Sequence, residues 1–323
     1  MRSARSLLSM ALLLSALFTG FAATPAAAAL GQEFRLHGPG RAPGGITQGP
    51  DGAMWFTEIE GNRIGRMTRE GDLTEFTLLV SSSQPTEITL GADGALWFTE
   101  YYSYGRHGNR IGRVTTDGVM TDFLIPTNHS FPHGIATGSD GNVWFTELVA
   151  NKIGRITPSG LITEFPIPLA DGKPHSITAG PDGNMWFTET SDHIGRITPS
   201  GDITLFSVPT GEVLGITAGP DGALWFTDFT GGAIDRMTTT GAFTQYRIPS
   251  VNSEPFRITV GPDSKLWFTE FGANKVGSIT TAGVMKEIYI HTKQCQPRGI
   301  ASGPDGMWFA ESLANQIGLL FVH

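Results

Sequence analysis

Short apolar runs separated by turn signals recur along almost the whole chain. In residues 173–206, a first run is followed by Pro-Asp-Gly and then by Asn-Met-Trp-Phe-Thr-Glu. A short loop leads to Ile-Gly-Arg-Ile-Thr, a Pro-Ser-Gly turn and Asp-Ile-Thr-Leu-Phe. Asp-Gly and Ser-Gly suit hairpin turns because glycine tolerates a positive φ, and Ile, Thr, Phe and Trp suit pleated strands. The pattern predicts a unit of four strands.

Tryptophan marks the copies of this four-strand unit. The spacings between successive tryptophans are 42, 47, 42, 39, 42 and 41 residues. A period near forty with four strands per repeat is typical of a β-propeller, in which each repeat forms one blade. We therefore predict an all-β, seven-bladed β-propeller with four-stranded blades. The seven tryptophans are Trp55, Trp97, Trp144, Trp186, Trp225, Trp267 and Trp308.

The two ends of the repeat region predict how the ring closes. The seventh repeat supplies three runs, the last around Ile317, and lacks the fourth. The segment Glu33 to Leu36 matches the missing run. We expect this N-terminal strand to complete the last blade, which would leave no exposed sheet edge there. The propeller is thus expected to occupy residues 30–323.

Residues 1–29 have the pattern of a secretory signal peptide. Arg2 and Arg5 give a positive start, Leu7 to Phe18 is mostly apolar, and alanines 26–29 offer a cleavage site. The apolar run is too short for a membrane span. We expect a secreted, extracellular and monomeric protein without a membrane span.

Composition excludes some classes of function. The chain has 22 Lys and Arg against 30 Asp and Glu, which gives a formal net charge of −8. Nucleic-acid binding, which needs clustered basic side chains, is therefore not expected. Cys295 is the single cysteine, so no internal disulfide can form. Because no triad partner is identifiable, a packed side chain is a better interpretation of Cys295 than a reactive thiol.

One face of the ring is predicted to bind ligands. The start of each first strand should lie beside the end of the second strand, and the connections between blades open on the same face. Loops on a rigid scaffold commonly carry function, so we expect a small-molecule ligand on this blade-connection face. The position just before the Gly-Ile pattern, here called the slot, varies among blades. Its residues are Gly44, Thr86, His133, His175, Leu214, Phe256 and Arg298.

Two histidines fill the slot in consecutive blades and are the first catalytic candidates. Each should lie near the acid that ends its own second strand, Glu147 for His133 and Glu189 for His175. A histidine beside a carboxylate can act as a general base near physiological pH. The alternative is that both are packed, hydrogen-bonded rim residues. The catalytic candidates are His133, His175 and Glu189.

The acid that ends the second strand recurs in every blade, and we interpret this ring of acids as structural. In five blades an arginine follows two residues after the Ile of the third strand, so a cross-strand pair is expected, as between Glu147 and Arg155. Glu270 and Glu311 lack such an arginine and are therefore the candidate metal ligands. The recurring acids are Glu58, Glu100, Glu147, Glu189, Asp228, Glu270 and Glu311.

The second blade carries an insertion in the loop 101–108, which holds Tyr101, Tyr102 and Tyr104. Tyrosine supplies rigid, amphipathic contact surface. We expect these three side chains to form a lip over the ligand face. The alternative is a loop that packs on its own aromatic rings.

The repeat, with Trp-Phe-Thr-Glu, Asn-x-Ile-Gly-Arg-Ile-Thr and Gly-x-Ile-Thr-Glu-Phe, resembles the virginiamycin B lyase (streptogramin B lyase) family over essentially the whole chain after residue 29. The resemblance implies a seven-bladed propeller. It also implies a carbon–oxygen lyase that opens cyclic depsipeptide antibiotics by elimination at their ester bond, with Mg²⁺ as cofactor.

The active residues implied by the resemblance lie in the last two blades, and there the sequence departs from the family. In the sixth blade the family has a histidine at the position of Phe256, which follows Glu254-Pro255 in this chain. In the seventh blade the family has Glu-Pro-His where this chain has Gln296-Pro297-Arg298. A guanidinium stays protonated and cannot serve as the base. Glu311 is one residue closer to its tryptophan than the family's second metal-binding glutamate. A rotated site at the two histidines would carry Lys173 where the family has a metal carboxylate, and a cation there would repel Mg²⁺.

Two classes of function stay open. The first is a lyase-like protein that binds or processes a small cyclic or ester-containing compound. The second is a non-catalytic propeller that binds a ligand, a glycan or a protein. A basic slot residue such as Arg298, an aromatic lip and an absent base favour binding of an anionic or aromatic ligand, whereas the family resemblance favours chemistry. The binding candidates are Tyr101, Tyr102, Tyr104, Glu254, Phe256, Gln296 and Arg298.

Overall fold

Seven antiparallel four-stranded sheets form a ring in the computed structural model, which describes residues 30–38, 40–101, 109–209 and 211–322. This confirms the predicted seven-bladed propeller. In the first six blades the four strands follow one another in chain order. The predicted signal peptide, residues 1–29, lies outside the described residues, as do Tyr102 and Tyr104. Among the described residues there is no helix long and apolar enough for a bilayer crossing.

The strands are short and evenly distributed. Strand β1 covers Leu30–Arg35. Blade one has β2 (Pro43–Gln48), β3 (Met54–Glu58), β4 (Arg63–Met67) and β5 (Leu73–Thr77). Blade two has β6 (Pro85–Leu90), β7 (Leu96–Glu100), β8 (Arg110–Val114) and β9 (Met120–Leu124). Blade three has β10 (Pro132–Thr137), β11 (Val143–Glu147), β12 (Lys152–Ile156) and β13 (Ile162–Pro166).

The remaining blades repeat this arrangement. Blade four has β14 (Pro174–Ala179), β15 (Met185–Glu189), β16 (His193–Ile197) and β17 (Ile203–Ser207). Blade five has β18 (Val213–Ala218), β19 (Leu224–Asp228), β20 (Ala233–Met237) and β21 (Phe243–Arg247). Blade six has β22 (Pro255–Val260), β23 (Leu266–Glu270), β24 (Lys275–Ile279) and β25 (Met285–Tyr289). Blade seven has β26 (Pro297–Gly303), β27 (Gly306–Glu311), β28 (Gln316–Phe321) and, as its outer strand, β1.

The N-terminal strand closes the last blade, as predicted. Strand β1 pairs antiparallel with β28, with Glu33 opposite Gly318. Phe34 stacks on Trp308 with 5.4 Å between ring centroids. The Glu33 carboxylate accepts a hydrogen bond of 2.8 Å from the Thr292 hydroxyl. The first strands of successive blades also contact one another around the ring, ending with β26 against β2.

The core lies between the blades. Each tryptophan of a second strand packs against the phenylalanine of the second strand in the next blade, for example Trp55 against Phe98. The series ends with Trp308 of blade seven against Phe56 of blade one. All seven tryptophans are at most 2% exposed. Because every blade buries its neighbour's largest side chain, the ring gains its stability from blade contacts.

Each buried indole N–H finds an acceptor four residues earlier in the chain. Trp55 donates to Asp51 at 3.1 Å, and Trp308 donates to the Pro304 carbonyl at 2.9 Å. In blade one the same aspartate also holds Arg66 at 2.6 Å. Burial raises the pKa of Asp51, but the hydrogen bonds from Trp55 and Arg66 outweigh it and hold that pKa below its usual value.

The predicted pairing of the recurring acid with the recurring arginine is wrong. In blade three, Arg155 lies opposite Trp144 and over its ring, 5.2 Å from the centroid, whereas Glu147 lies opposite Lys152. Three strand residues, about 10 Å, separate the two positions along β11. Glu270 lies opposite Lys275 and Glu311 opposite Gln316. The lack of an arginine therefore does not distinguish these two acids from the other five.

In five of the seven blades the recurring acid instead lies beside a second acid on the fourth strand of its blade. Glu147 is fully buried, and its two oxygens lack a hydrogen-bond donor while both acids are ionised. Burial, the charge of Glu164 and a hydrogen bond to it raise the pKa of Glu147 to about 9, against the opposing charge of Lys152. A proton kept on Glu147 supplies the missing donor. The same arrangement recurs as Glu58 with Glu75, Glu100 with Asp122, Glu270 with Glu287 and Glu311 with Glu33.

Removing the closing strand should destabilise the whole ring. Deletion of residues 30–38 is expected to aggregate the protein or lower its melting temperature by about 10 °C or more, because blade seven loses its outer strand and Trp308 loses its stacking partner. The point variant Phe34→Ala should cost about 2–3 kcal/mol, whereas Gln32→Ala, at an exposed position of the same strand, should cost less than about 0.5 kcal/mol. Thermal unfolding followed by circular dichroism measures the stability of the deletion variant and of the two point variants. An unchanged melting temperature after the deletion would contradict the closure.

The buried acids should make stability fall as pH rises. The folded chain keeps a proton on Glu147 that the unfolded chain releases, so this contribution is lost between the ordinary value of 4.5 and about 9. Glu147→Gln mimics the protonated acid. Its free energy of unfolding should match the wild type near pH 5 and exceed it by roughly 1–3 kcal/mol near pH 9. The matched control is Glu70→Gln at an exposed position, which should change neither value. If the free energy of unfolding depends on pH in the same way for the wild type and for Glu147→Gln, Glu147 does not keep a proton in the folded protein.

Candidate functional site

The first strand of each blade is bulged where it reaches the blade-connection face, and this bulge aims the slot residue at the central channel. In blade three the pairing of β10 with β11 shifts between Pro132 and Ile135. The Thr146 hydroxyl accepts a hydrogen bond from Gly134 N at 2.8 Å and donates to the His175 carbonyl of the next blade at 3.0 Å. The equivalent threonines of five other blades hold the next slot carbonyl in the same way. They are Thr57, Thr99, Thr188, Thr227 and Thr269.

Close approach of the first strands limits which blades can carry a side chain directly after the slot. A Cβ added at Gly134 would lie 2.6 Å from the His175 carbonyl oxygen, so only glycine fits there. From blade one to blade seven, glycines therefore alternate with residues that have side chains, and two glycines, Gly299 and Gly45, meet where the ring closes. The seven positions are Gly45, Glu87, Gly134, Ser176, Gly215, Arg257 and Gly299.

An ion pair spans the channel between blades two and six. Arg257 donates to the Glu87 carboxylate through Nη2 at 2.5 Å and through Nε at 3.0 Å. Arg257 is only 7% exposed. Two charge-assisted hydrogen bonds to one carboxylate oxygen, Glu87 Oε1, fix both side chains and neutralise both charges at the channel wall.

The channel mouth, formed by Tyr101, His133, His175, Phe256, Phe271 and Arg298, is predominantly aromatic. The rings of His133 and His175 lie 4.1 Å apart. His175 also meets the edge of Phe256, with centroids 6.2 Å apart. Phe256 in turn packs on Phe271 at 5.9 Å. The sequence placed the two histidines in consecutive blades, and the structure brings their rings together.

The lip predicted from the insertion in blade two is partly described. Tyr101 meets Phe131 and His133 edge-on, at 5.2 and 5.8 Å between centroids. Tyr101 therefore belongs to the channel mouth. Tyr102 and Tyr104 lie outside the described residues, so their predicted place over the ligand face stays a prediction.

Arg298 lies on the aromatic wall of the mouth without an acidic partner. Its guanidinium carbon is 5.8 Å from the Phe256 centroid and 5.7 Å from the Phe271 centroid. Its Nε is buried and has no hydrogen-bond partner within the described part of the chain. Burial lowers the pKa of Arg298, with Arg257 acting in the same direction and the charges of Glu87 and Glu60 opposing. The guanidinium nevertheless keeps its charge, because arginine does not deprotonate in proteins.

Both mouth histidines are neutral at physiological pH. Burial lowers the pKa of His133 to about 3, and the charges of Arg257 and Arg298 act in the same direction, while a hydrogen bond with the His175 carbonyl opposes. Burial and the neighbouring His133 hold the pKa of His175 well below its usual value. Each ring can therefore accept a proton at pH 7, but the low pKa makes it a weak base.

The acids predicted to assist catalysis or bind metal lie outside the mouth. Glu189 is fully buried at the end of its own strand, and its electrostatic partner is His193. Neither Glu147 nor Glu189 makes a hydrogen bond or ion pair with a mouth histidine in the described contacts. Glu270 lies beside Glu287 in blade six, and Glu311 lies beside Glu33 in blade seven.

The mouth does not fit a Mg²⁺ ion. Within the described residues no three His, Cys, Asp or Glu side chains converge in a way that could hold a metal. At the channel wall the Glu87 carboxylate is already bound by Arg257, and the positive charge of Arg298 would repel a cation.

A pocket of about 390 Å³ between blades six and seven adjoins the mouth. Its lining includes Glu254, Phe271 and Gln296. Glu254 and Gln296 adopt positive φ values of 45° and 48° in the connections between blades. Five of the seven binding candidates thus line the mouth or its adjoining pocket: Tyr101, Glu254, Phe256, Gln296 and Arg298.

Sequence reasoning missed several mouth residues. Glu87 and Arg257 occupy the position directly after the slot, where four of the seven blades have glycine. Phe271 occupies the position directly after the recurring acid. Variation among the repeats at these two positions marks Glu87, Arg257 and Phe271 as unusual, although it does not show that Glu87 and Arg257 form a pair.

Comparison with known proteins connects this geometry to a family. The family model described as the virginiamycin B lyase family matches residues 27–213. The selenomethionine-substituted virginiamycin B lyase of Staphylococcus aureus is 40% identical and has a TM-score of 0.85, with 90% of this chain and 99% of that chain covered. A catalytically inactive variant of that enzyme, solved with quinupristin, gives the same values.

A shorter match comes from a curated relative. The virginiamycin B lyase of Bordetella pertussis is 44% identical over 46 residues, which is 14% of this chain and 15% of that protein. The family model and the structural matches extend over far more of the chain. On these grounds, the chain belongs to the virginiamycin B lyase family.

Proposed function

We propose that the protein is a lyase-like propeller that binds a small cyclic or ester-containing compound at the channel mouth. The observation that supports this best is the convergence there of Tyr101, Phe256 and Phe271 with two neutral histidines and one unpaired arginine. Ligand pockets are commonly apolar and aromatic, with few placed polar groups. Secretion and a monomeric state are part of the same proposal, since residues 1–29 resemble a signal peptide.

Binding is better supported than efficient cleavage. Arg298 stands where the resemblance implies the general base, and Gln296 stands where it implies a metal carboxylate. A guanidinium cannot accept a proton. General base catalysis alone typically contributes about a hundred- to ten-thousand-fold to a rate. A protein that lacks both groups should turn over the family's substrates slowly.

A second candidate function is elimination through the mouth histidines. The observation that favours it is the contact of 3.2 Å between His133 Nδ1 and the His175 carbonyl, in which Nδ1–H donates. This contact leaves Nε2 as the proton acceptor. Because the pKa of His133 is low, proton abstraction would be weakly driven. This chemistry would need a ligand whose acidic C–H is held against the ring.

The wild-type protein should not linearise streptogramin B antibiotics at a rate comparable with its relatives. The measurement is mass spectrometry of quinupristin incubated with the protein, with and without Mg²⁺ and a chelator. The Staphylococcus aureus enzyme serves as the positive control. Robust Mg²⁺-dependent linearisation would overturn the proposal that this mouth binds without efficient cleavage. Slow, chelator-resistant linearisation that disappears in His133→Ala would instead support the second candidate.

Ligand binding should depend on the aromatic wall of the mouth. Phe256→Ala is expected to weaken the binding of a cyclic depsipeptide by about tenfold or more, because it removes the ring on which His175, Phe271 and Arg298 converge. Ligand-observed NMR titration measures the change. The control is Tyr289→Ala on the outer strand of blade six, where the side chain is 71% exposed. Equal losses in the two variants, or no loss in either, would place the ligand elsewhere.

A further inference from the structure

We propose that the channel mouth selects compounds with a free carboxylate beside an aromatic or apolar group, and that Arg298 is the residue that binds this carboxylate. This inference rests on the proposed function and adds the chemical class of the ligand to it. The selectivity would be absent from a mouth that carried histidine at this slot.

The first support is the charge balance of the mouth. Arg257 and Glu87 neutralise each other at 2.5 Å. Every Asp and Glu of the chain lies within the described residues, and none of them forms an ion pair with Arg298. The two mouth histidines are uncharged at pH 7. Glu87 and Glu60 act on Arg298 only through their electrostatic field. Its positive charge is therefore not neutralised by an ion pair, which matches a ligand with a single negative charge.

The second support is the placement of the guanidinium. Arg298 lies on Phe256 and Phe271, and these aromatic faces cannot satisfy its N–H groups in the guanidinium plane. A buried donor without an acceptor carries a desolvation cost that a bound anion removes. The planar guanidinium matches a carboxylate with two parallel hydrogen bonds. The neighbouring rings supply apolar surface for the rest of the ligand.

The third support is that the guanidinium of Arg257 is already paired with Glu87. Releasing Arg257 to a ligand would leave Glu87 unpaired at the channel wall, which is strongly unfavourable for a partly buried charge. Arg257 keeps one buried donor, Nη1, without a partner, but its charge is neutralised by Glu87. Selectivity for a negative charge therefore belongs to Arg298. A dianion such as a phosphate monoester would bring a second negative charge close to Glu87 without a second free cation.

The test uses matched probes that differ only in charge. N-acetyl-phenylalanine and its methyl ester are titrated against the protein at pH 7 and followed by ligand-observed NMR. The acid is expected to bind at least about tenfold more tightly than the ester. The difference should shrink in 0.5 M NaCl, because salt screens the charge pair.

Two arginine variants test whether Arg298 is the residue that causes the preference for the acid. Arg298→Gln should abolish the preference for the acid while leaving ester binding within about twofold. Arg196→Gln is the matched control, because Arg196 also lies over two aromatic rings, Trp186 and Phe206, at 5.8 Å from each centroid, without a carboxylate partner. This control should keep the full preference. Circular dichroism and melting temperature confirm that both variants are folded.

The outcomes separate this inference from the proposed function. If acid and ester bind equally and Phe256→Ala weakens both, the mouth is the ligand site and the carboxylate inference is wrong. If the preference for the acid persists in Arg298→Gln, the inference is also wrong. If neither probe binds at millimolar concentration, and Phe256→Ala leaves depsipeptide binding unchanged, both the inference and the proposed function fail.

Discussion

The packing of each tryptophan against the next blade is the interaction on which the whole molecule depends. It joins seven small sheets, none of which could bury both of its faces alone, into one closed ring. Because the ring must close, the outer strand of blade seven comes from the other end of the chain, and Phe34 supplies the ring that stacks on Trp308. The channel and its mouth exist only as a consequence of this closure.

Closure brings the first strands so near to one another that side chains compete for space at the channel. Glycine at alternate blades relieves this competition, and the blades between them carry Glu87, Ser176 and Arg257. The Glu87–Arg257 pair then satisfies two charges that would be costly alone in the channel wall. One slot residue, Arg298, is left without such a partner. The same constraint that builds the ring thus determines which charge is available to a ligand.

The recurring acids show why a repeated pattern can suggest chemistry and yet be structural. They end the second strand in every blade, but in five blades the carboxyl group lies beside a second acid of the same blade and keeps a proton there, as Glu147 does beside Glu164. This arrangement stabilises the blade below the raised pKa values and weakens it above them. The residues that differ between blades, such as Phe256 and Arg298, are the ones that line the mouth.

The sequence by itself determined the architecture, since turn signals and apolar runs are local and repeat seven times with nearly constant spacing. It also identified the slot, where His133, His175, Phe256 and Arg298 stand out against the repeat. It did not determine the pairing of Glu147, because strand register decides whether Arg155 or Lys152 lies opposite, and register follows from packing on both faces of a blade. Nor could it find the Glu87–Arg257 pair, whose members are 170 residues apart and meet only across a closed ring. Contacts within a blade follow from neighbouring residues, whereas contacts across the channel require all seven blades to be in place.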